Sequence, residues 1–200
     1  MKYPKHINVP TERVKTLAST NDYLAELCKQ SKAEEFYTVI AEDQTDGKGQ
    51  RGNSWESEPG KNLTFSIVLY PTAIEANKQF HLSMLASIAI IDTLTDYTDG
   101  FSIKWPNDIY WHDKKICGIL IENGFSGTSV DFSVVGIGVN VYNRLPEELL
   151  SIATTLSAEL KKELSATELS EVKERLMEEY IKGSSMEEYL SFVGYKNKRI

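Results

Sequence analysis

Residues 101–122 decide the fold of this chain, and they read FSIKWPNDIYWHDKKICGILIE. Three short apolar runs separated by turn-forming residues are typical of consecutive strands: Phe101–Trp105, Ile109–Trp111 and Ile116–Glu122. Pro106 has no amide hydrogen to give to a sheet, so the chain must bulge or turn between the first two strands. Residues 112–114 (HDK) provide the next tight connection, as in a hairpin.

The sequence on both sides extends this pattern. Four further runs, β-branched, aromatic or alternating, predict strands: Arg13–Ala18, Phe36–Ala41, Asn62–Tyr70 and Val130–Val139. Residues 124–127 (GFSG) are predicted to connect the last two strands tightly. Five helices are predicted, and the first follows the N-cap residues at 19–22. They are Tyr23–Cys28, Asn77–Tyr97, about Thr155–Leu164, Thr167–Lys182 and Met186–Val193. Strands followed by helices predict one α+β domain with a mixed, largely antiparallel β-sheet flanked by helices.

Composition excludes several classes of function. With 22 Lys+Arg against 29 Asp+Glu, the net charge of −7 excludes binding of nucleic acid over a broad face, although a local basic pocket for a small anion remains possible. Cys28 and Cys117 make no disulfide framework, which favours a reducing, cytoplasmic location. The chain starts with no export signal and has no apolar stretch long enough for a bilayer, so no membrane partner is expected.

The most informative loop is GKGQRG, residues 47–52. Its three glycines let backbone N–H groups approach an anion closely, and Lys48 and Arg51 add positive charge. It is neither a Walker A motif, which needs Lys-Ser/Thr after its last glycine, nor a Rossmann loop, which opens directly into a helix. The alternative interpretation is a surface hairpin tip.

Three more segments carry polar groups at strand ends. Lys104 beside Asn107 and Asp108 suits a nucleoside triphosphate with Mg²⁺, and the alternative is an Asn-Asp turn with an exposed lysine. Lys115 stands at the mouth of a strand whose interior holds Gly118, so its side chain would reach over a pocket floored by that glycine, or the glycine marks a bulge. Residues 136–140 (GIGVN) repeat the device of small residues followed by an amide.

Together, in this order and spacing, these segments closely resemble the biotin protein ligases. The resemblance covers roughly residues 13–195 and is carried by STN (19–21), Gln44, GKGQRG (47–52), Trp55, KWPND (104–108), Lys115, GILIE (118–122) and GIGVN (136–140). It implies the biotin/lipoate ligase catalytic fold, which is similar to that of class II aminoacyl-tRNA synthetases. It also implies a two-step reaction: biotin and ATP form biotinyl-5′-AMP and pyrophosphate, and a lysine of the biotin carboxyl carrier domain of a carboxylase then displaces AMP.

The resemblance also assigns roles to residues. When a carboxylate approaches an α-phosphate at about 4 Å, the repulsion of roughly 4 kcal/mol must be neutralised; the implied catalytic cations are Arg51, Lys104 and Lys115. The implied biotin set is Ser19, Thr20, Asn21, Gln44, Gly47, Lys48, Gly49, Gln50, Lys115, Gly118 and Leu120. The implied ATP set is Arg51, Trp55, Lys104, Asn107, Lys115 and Asn140, with Asp108 as the ligand of Mg²⁺.

Two loop residues depart from the family pattern. Lys48 and Gln50 stand where relatives often have arginine, so Lys48 loses the bidentate fork and Gln50 loses the charge. We therefore expect somewhat looser retention of the adenylate.

The resemblance further predicts a catalytic domain over residues 1–195 and a tail over 196–200, with the small C-terminal β domain of relatives absent or truncated. Only 18 residues precede Ser19, which leaves no room for a DNA-binding domain and favours a ligase without repressor activity. Relatives often dimerise through sheet edges, so a homodimer is possible. The alternatives are a lipoate-type protein ligase, which shares the fold, and a non-catalytic biotin-sensing protein.

Overall fold

Seven strands form one mixed sheet in the computed structural model, which describes residues 10–71, 76–95, 97–142 and 144–160. They are β1 (Thr11–Leu17), β2 (Thr38–Gln44), β3 (Leu63–Leu69), β4 (Phe101–Lys104), β5 (Asp108–Trp111), β6 (Lys114–Ser126) and β7 (Ser129–Val139). Their order is β1-β2-β3-β7-β6-β5-β4. β1 runs parallel to β2, and the other neighbouring pairs are antiparallel. The predicted mixed, largely antiparallel sheet is confirmed.

Three α-helices accompany the sheet within the described ranges: α1 (Thr20–Lys29), α2 (Phe80–Thr95) and α3 (Leu156–Leu160). Ser19 caps α1 because its extended backbone lets the side-chain oxygen accept a hydrogen bond from the Asp22 amide at 3.4 Å. α2 is the predicted apolar helix, shortened because a 3₁₀ turn over Ala76–Lys78 takes up its expected first residues.

The two long helices lie on opposite faces of the sheet. α2 packs Leu82, Ile88 and Ile91 onto one face, in a core with Ile103, Ile109, Ile116 and other fully buried side chains of the central strands. α1 packs Leu24 and Cys28 onto the other face, against Val39, Val68 and Val134. Burying each such aliphatic side chain contributes about 1.5–3 kcal/mol, so the large α2 core holds the sheet rigid. α1 covers only part of its face, and the uncovered part is where the candidate site lies.

Two connections test the predictions from turn residues. Pro106 does lie in a turn between β4 and β5, preceded by a cis peptide bond. The predicted connection at residues 124–127 was wrong, since β6 continues to Ser126 and Gly127 and Thr128 form the turn. Gly124 lies inside the strand. This position suits glycine because a Cβ there would overlap the Phe132 ring. The helices predicted over Thr167–Lys182 and Met186–Val193, and the end of the one predicted to Leu164, lie outside the described residues.

Candidate functional site

A groove with a floor of small residues lies beside α1. The strand register sets two rows side by side across β3, β7 and β6: Thr64, Gly138 and Gly118, then Ser66, Gly136 and Leu120. Because glycine has no side chain, other side chains can rest directly on this part of the sheet. The groove contains an inner cavity of about 50 Å³, lined by these rows apart from Ser66 and by α1, the glycine loop and Lys115.

One end of the inner cavity is a polar cluster from the start of α1 and the end of β2. Ser19, Thr20 and Asn21 are buried there, although their side chains are polar. The Thr20 amide and hydroxyl both donate to Gln44 Oε1, at 2.8 and 3.0 Å. Asn21 Nδ2 donates to Glu122 Oε2 at 2.8 Å. Each group is held by another, so the cluster presents a fixed pattern of donors and acceptors to the cavity.

The glycine loop forms a hairpin over the groove, over residues 47–55, and we call it the glycine hairpin. The Gly49 amide donates to Asn53 O at 2.7 Å, and the Trp55 amide donates to Gly47 O at 2.8 Å. Its tip includes Arg51, whose positive φ of 58° is uncommon for a residue with a side chain.

Lys48 attaches this hairpin to α1. Its ammonium lies 2.7 Å from Asp22 Oδ1, and this hydrogen bond raises the pKa of Lys48. The predicted role of Lys48 as a biotin-binding cation therefore starts from an ammonium that already has a carboxylate partner.

Trp55 ends the hairpin and lies on the glycine floor. A Cβ on Gly138 would overlap its indole, and one on Gly118 would lie 2.9 Å from its Cζ3. The indole Nε1 is buried and has no hydrogen-bond partner among the residues that the structure describes. Trp55 lines both the inner cavity and a larger neighbour of about 630 Å³, the outer cavity, which is also lined by Tyr110, Asn140 and Leu149.

Lys115 also lines both cavities. Its ammonium lies 2.7 Å from Asp108 Oδ1 and 5.5 Å from the centre of the Trp55 ring. Asp108 Oδ1 is buried and receives no correctly directed hydrogen bond from any described residue, so its contact with Lys115 is an ion pair. Lys115 is thus a cation at the junction of the two spaces.

The amides predicted for the nucleotide are fixed by backbone contacts. Asn107 Nδ2 donates to Ile119 O at 2.9 Å, and Asn140 Nδ2 donates to Thr154 O at 3.3 Å. Asn107 lines the inner cavity and Asn140 the outer one.

The structure brings together most of the residues predicted for the site. The inner cavity is lined by Ser19, Thr20, Asn21, Gln44, Lys48, Gly49, Gln50, Trp55, Asn107, Lys115, Gly118 and Leu120. Buried Gly47 and exposed Arg51 instead line a side cavity with Asp46 and Glu122, across the hairpin.

Lys104 lies apart from both the inner and the outer cavity. Its ammonium donates to Tyr110 Oη at 2.9 Å, which raises the pKa of Lys104, and it lies 4.7 Å from the centre of that ring. Neither Lys104 nor Arg51 lines the inner or the outer cavity with Lys115. Lys104 pairs with Asp108 across β4 and β5, and Asp108 contacts the Lys115 ammonium, so the predicted catalytic roles of Lys104 and Arg51 stay predictions. Tyr110, the hydrogen-bond partner of Lys104, lines the outer cavity.

Sequence reasoning missed several groups at the site. Tyr110 lines the outer cavity, Thr64 lines the inner one, and Ser66 holds the polar cluster from below. The strand register places these residues at the site, since Ser66 pairs with Gly136 and Thr64 with Gly138. The sequence of a single strand does not reveal which residues of another strand it pairs with, so this information was not accessible from sequence.

Two adjoining cavities share the ammonium group of Lys115, and this arrangement is suited to a protein class that takes two small ligands side by side, at least one of them anionic. Comparison with known proteins gives the family. The model of the biotin/lipoate A/B protein ligase family matches residues 14–140, and the chain belongs to that family.

Relatives and solved structures agree with this assignment. The bifunctional ligase/repressor BirA of Bacillus subtilis is 37% identical over 145 residues, which cover 70% of this chain and 44% of that protein. The biotin–[acetyl-CoA-carboxylase] ligase of Paracoccus denitrificans is 38% identical over 106 residues, 52% of this chain and 43% of the relative. The chain therefore spans less than half of these relatives. The biotin protein ligase of Aquifex aeolicus, solved with biotin and ATP, is 32% identical with a TM-score of 0.74, over 86% of this chain and 71% of that one.

The expected biotin/lipoate ligase fold is thereby confirmed. Among the described residues, no helix is both long and apolar enough to cross a membrane.

Proposed function

We propose that this protein is a biotin protein ligase. It joins biotin to ATP as biotinyl-5′-AMP with release of pyrophosphate, and then transfers the biotinyl group to a lysine of the biotin carboxyl carrier domain of a biotin-dependent carboxylase. The observation that carries the proposal is Lys115, whose side chain lines both cavities. An ammonium at this junction can contact an anion in either space.

The first step needs two anions to meet. The biotin carboxylate attacks the α-phosphorus of ATP, an O–P bond forms, and the bond from that phosphorus to the pyrophosphate oxygen breaks. Lys115 lowers the repulsion between carboxylate and phosphate, and its ammonium is held in place by Asp108 at 2.7 Å. The polar cluster of Thr20, Asn21 and Gln44 binds the biotin ureido group, which has one carbonyl acceptor and two N–H donors.

The second step needs a dry site. The adenylate is a mixed anhydride, and water must be excluded until the acceptor amine attacks its carbonyl carbon and AMP leaves. The glycine hairpin closes one side of the groove, and the indole of Trp55 supplies the apolar wall between the two cavities. Gln50 lines the inner cavity in this hairpin, and we expect its lack of charge to weaken retention of the adenylate.

The residues at the site fit a magnesium ion that takes only one or two of its ligands from the protein. Mg²⁺ is commonly held by one or two carboxylates together with substrate phosphates, and it neutralises phosphate charge. Asp108 offers one buried carboxylate oxygen, while the part of the chain described here has no group of three His, Cys, Asp or Glu. Since Asp108 already pairs with Lys115, the ion and this ammonium would share the carboxylate.

The remaining expectations concern the protein's surroundings. The ligands we propose are biotin, ATP and a carboxylase carrier domain, and we expect no nucleic acid and no membrane as partners. A cytoplasmic location and a homodimer stay predictions.

The direct test is transfer of labelled biotin to a purified carrier domain. We expect Lys115→Ala to reduce the rate by about 100-fold or more, as when one stabilising group for developing charge is removed. The matched control is Lys114→Ala, because Lys114 is the same residue type one position away and lines neither cavity. Equal rates for the two variants would contradict the proposed role of Lys115.

Calorimetric titration separates the alternative functions. A ligase binds biotin more tightly once ATP is added and releases pyrophosphate. A biotin sensor binds biotin without releasing pyrophosphate, and a lipoate-type ligase does not bind biotin.

A further inference from the structure

The polar cluster is fixed from beneath by a serine of β3. Ser66 is fully buried, and its Oγ lies 2.7 Å from Thr20 Oγ1 and 2.5 Å from Asn21 Oδ1. Both partners are also buried, so neither can replace this hydroxyl with bulk water. Ser66 therefore joins the first two residues of α1 to the sheet at the floor of the inner cavity.

The orientation of the Asn21 amide follows from its other partners. Asn21 Nδ2 donates to Glu122 Oε2 at 2.8 Å and to Leu120 O at 3.3 Å, and both atoms only accept hydrogen bonds. Asn21 Oδ1 must then face Ser66. Gly136 lies beneath this oxygen, and a Cβ at that position would overlap it. The glutamate thus fixes one end of a chain of hydrogen bonds.

The other end of the chain is Gln44. Its Oε1 accepts from both the amide and the hydroxyl of Thr20, so its Nε2 is left to donate elsewhere; this nitrogen lies beside Gly47 of the glycine hairpin, and Gln44 lines the inner cavity. The single Ser66 proton is shared between Asn21 Oδ1 and Thr20 Oγ1, so the Thr20 hydroxyl keeps its own proton to donate to Gln44. Donation therefore runs outward from Ser66 in both directions, through Asn21 to the Glu122 carboxylate and through Thr20 to Gln44 Oε1.

We propose that Ser66 and Glu122 are positioning residues that determine specificity for a neutral cyclic urea. They touch no substrate themselves. They hold Thr20, Asn21 and Gln44 so that the cavity presents a hydrogen-bond donor to the ureido carbonyl, and they prevent the Gln44 amide from turning its oxygen inward. This inference rests on the proposed function, since the urea is that of biotin.

The test compares two buried serines of the same sheet. Ser66→Ala removes the hydroxyl beneath the cluster, and Ser133→Ala removes another fully buried hydroxyl, which donates to Asn123 Oδ1 at 2.6 Å. Ser133 is remote from the cluster, because Asn123 also binds Gln79 just before α2. Each variant loses one buried hydroxyl, so we expect similar losses in the free energy of unfolding. A difference in biotin recognition would then reflect where in the sheet the hydroxyl lies.

Pyrophosphate release is measured against biotin concentration at saturating ATP. We expect Ser66→Ala to raise the KM for biotin by roughly 10-fold, with kcat little changed, because buried partners are left unsatisfied. Ser133→Ala should leave both constants at the wild-type values. We also expect Ser66→Ala to lower the preference for biotin over iminobiotin, whose cationic guanidino group presents a donor where biotin has its carbonyl. A general loss of stability would not move that ratio.

Glu122→Gln is the second variant and acts from the other end of the chain. It removes the charge and lets an NH₂ group face Asn21 Nδ2, so we expect the same rise in KM and the same loss of preference. If Ser66→Ala does not fold, this variant decides the matter. Wild-type values for Ser66→Ala and Glu122→Gln would overturn the inference while the wild-type enzyme still releases pyrophosphate. Absence of that release from the wild type would instead refute the proposed function.

Discussion

Gly138 and Gly118 occupy positions where a strand would ordinarily carry a β-branched side chain. Glycine in a strand interior costs stability, because the unfolded backbone is freer and no side chain packs. At both positions the space that a Cβ would need is taken by the indole of Trp55. The two glycines lower the local stability of their strands, but they let the Trp55 indole lie against the sheet, where it lines both cavities.

A double-mutant cycle measures this exchange. We expect Gly138→Ala alone to cost about 1–3 kcal/mol of unfolding free energy, as overpacking does, and to displace Trp55. In a Trp55→Ala background the same substitution should cost little, because the three atoms nearest to the new methyl all belong to that indole. Urea unfolding of the four proteins gives the coupling energy. Additive costs would mean that the indole does not rest on Gly138.

Lys115 shows what sequence reasoning reaches at the scale of a residue. Simple alternation places Lys115 and Gly118 on opposite faces of a strand and Lys115 with Cys117 on the same face. The register shift between β5 and β6 at Ile109 and Tyr110 changes this, so the Lys115 ammonium lies over Gly118 while Cys117 is buried in the α2 core. The position of Lys115 at the strand mouth and the family resemblance both predicted this placement, whereas strict alternation alone would have placed Lys115 and Gly118 on opposite faces.

At the scale of elements, the glycine hairpin depends on its attachment to α1. Lys48 and Asp22 form an ion pair whose side chains are 40% and 47% exposed, so the interaction is screened by solvent and its energy is small. An attachment of this strength can hold the hairpin over the groove and still allow it to open. It also joins the hairpin to the helix that carries Thr20 and Asn21.

We expect Asp22→Asn to speed dissociation of the adenylate by about 2- to 5-fold at low salt, which corresponds to an exposed ion pair. The effect should disappear in about 1 M salt, where charges are screened within roughly 3 Å. The exchanged pair, Asp22→Lys with Lys48→Asp, should restore part of the retention. Stopped-flow measurement of adenylate release checks this.

Glu26→Gln is the matched control for that prediction. It breaks the other ion pair of α1, between Glu26 and Lys29 at 3.9 Å, which lies on the same helix but away from the hairpin. A change in adenylate release as large as that of Asp22→Asn would contradict the attachment, since it would reflect charge on α1 in general.

Elements were predicted well where composition alone determines them. β3 is buried along its whole length and α2 along most of its own, and apolar β-branched runs or long apolar segments identify such elements. The connection after β6 was not predictable, because Gly124 resembles a turn glycine and is instead required by the Phe132 ring across the strand pair. Tertiary contacts of this kind leave no local signal.

At the scale of the whole molecule, the sheet separates stability from function. One face is sealed by α2 and holds most of the core, and the other is shared between α1 and the groove. Polar groups can be clustered on the second face because the first supplies the apolar burial that keeps the strands in register. Cys117, fully buried beneath α2 and two residues from Lys115, lies on the sealed side of this boundary.

Cys117 therefore reports on the cooperativity of the sheet. Burial raises the pKa of its thiol, and alkylation requires an exposed thiolate, so the native protein should react only through opening of the core. In a Cys28→Ala variant, which leaves one thiol in the chain, we expect slow modification by iodoacetamide whose rate rises with urea in parallel with global unfolding. Saturating biotin and ATP should slow it further if they stabilise the folded state. A fast rate that is independent of urea would show that β6 opens locally beside the site, and the sheet would then not separate the two faces.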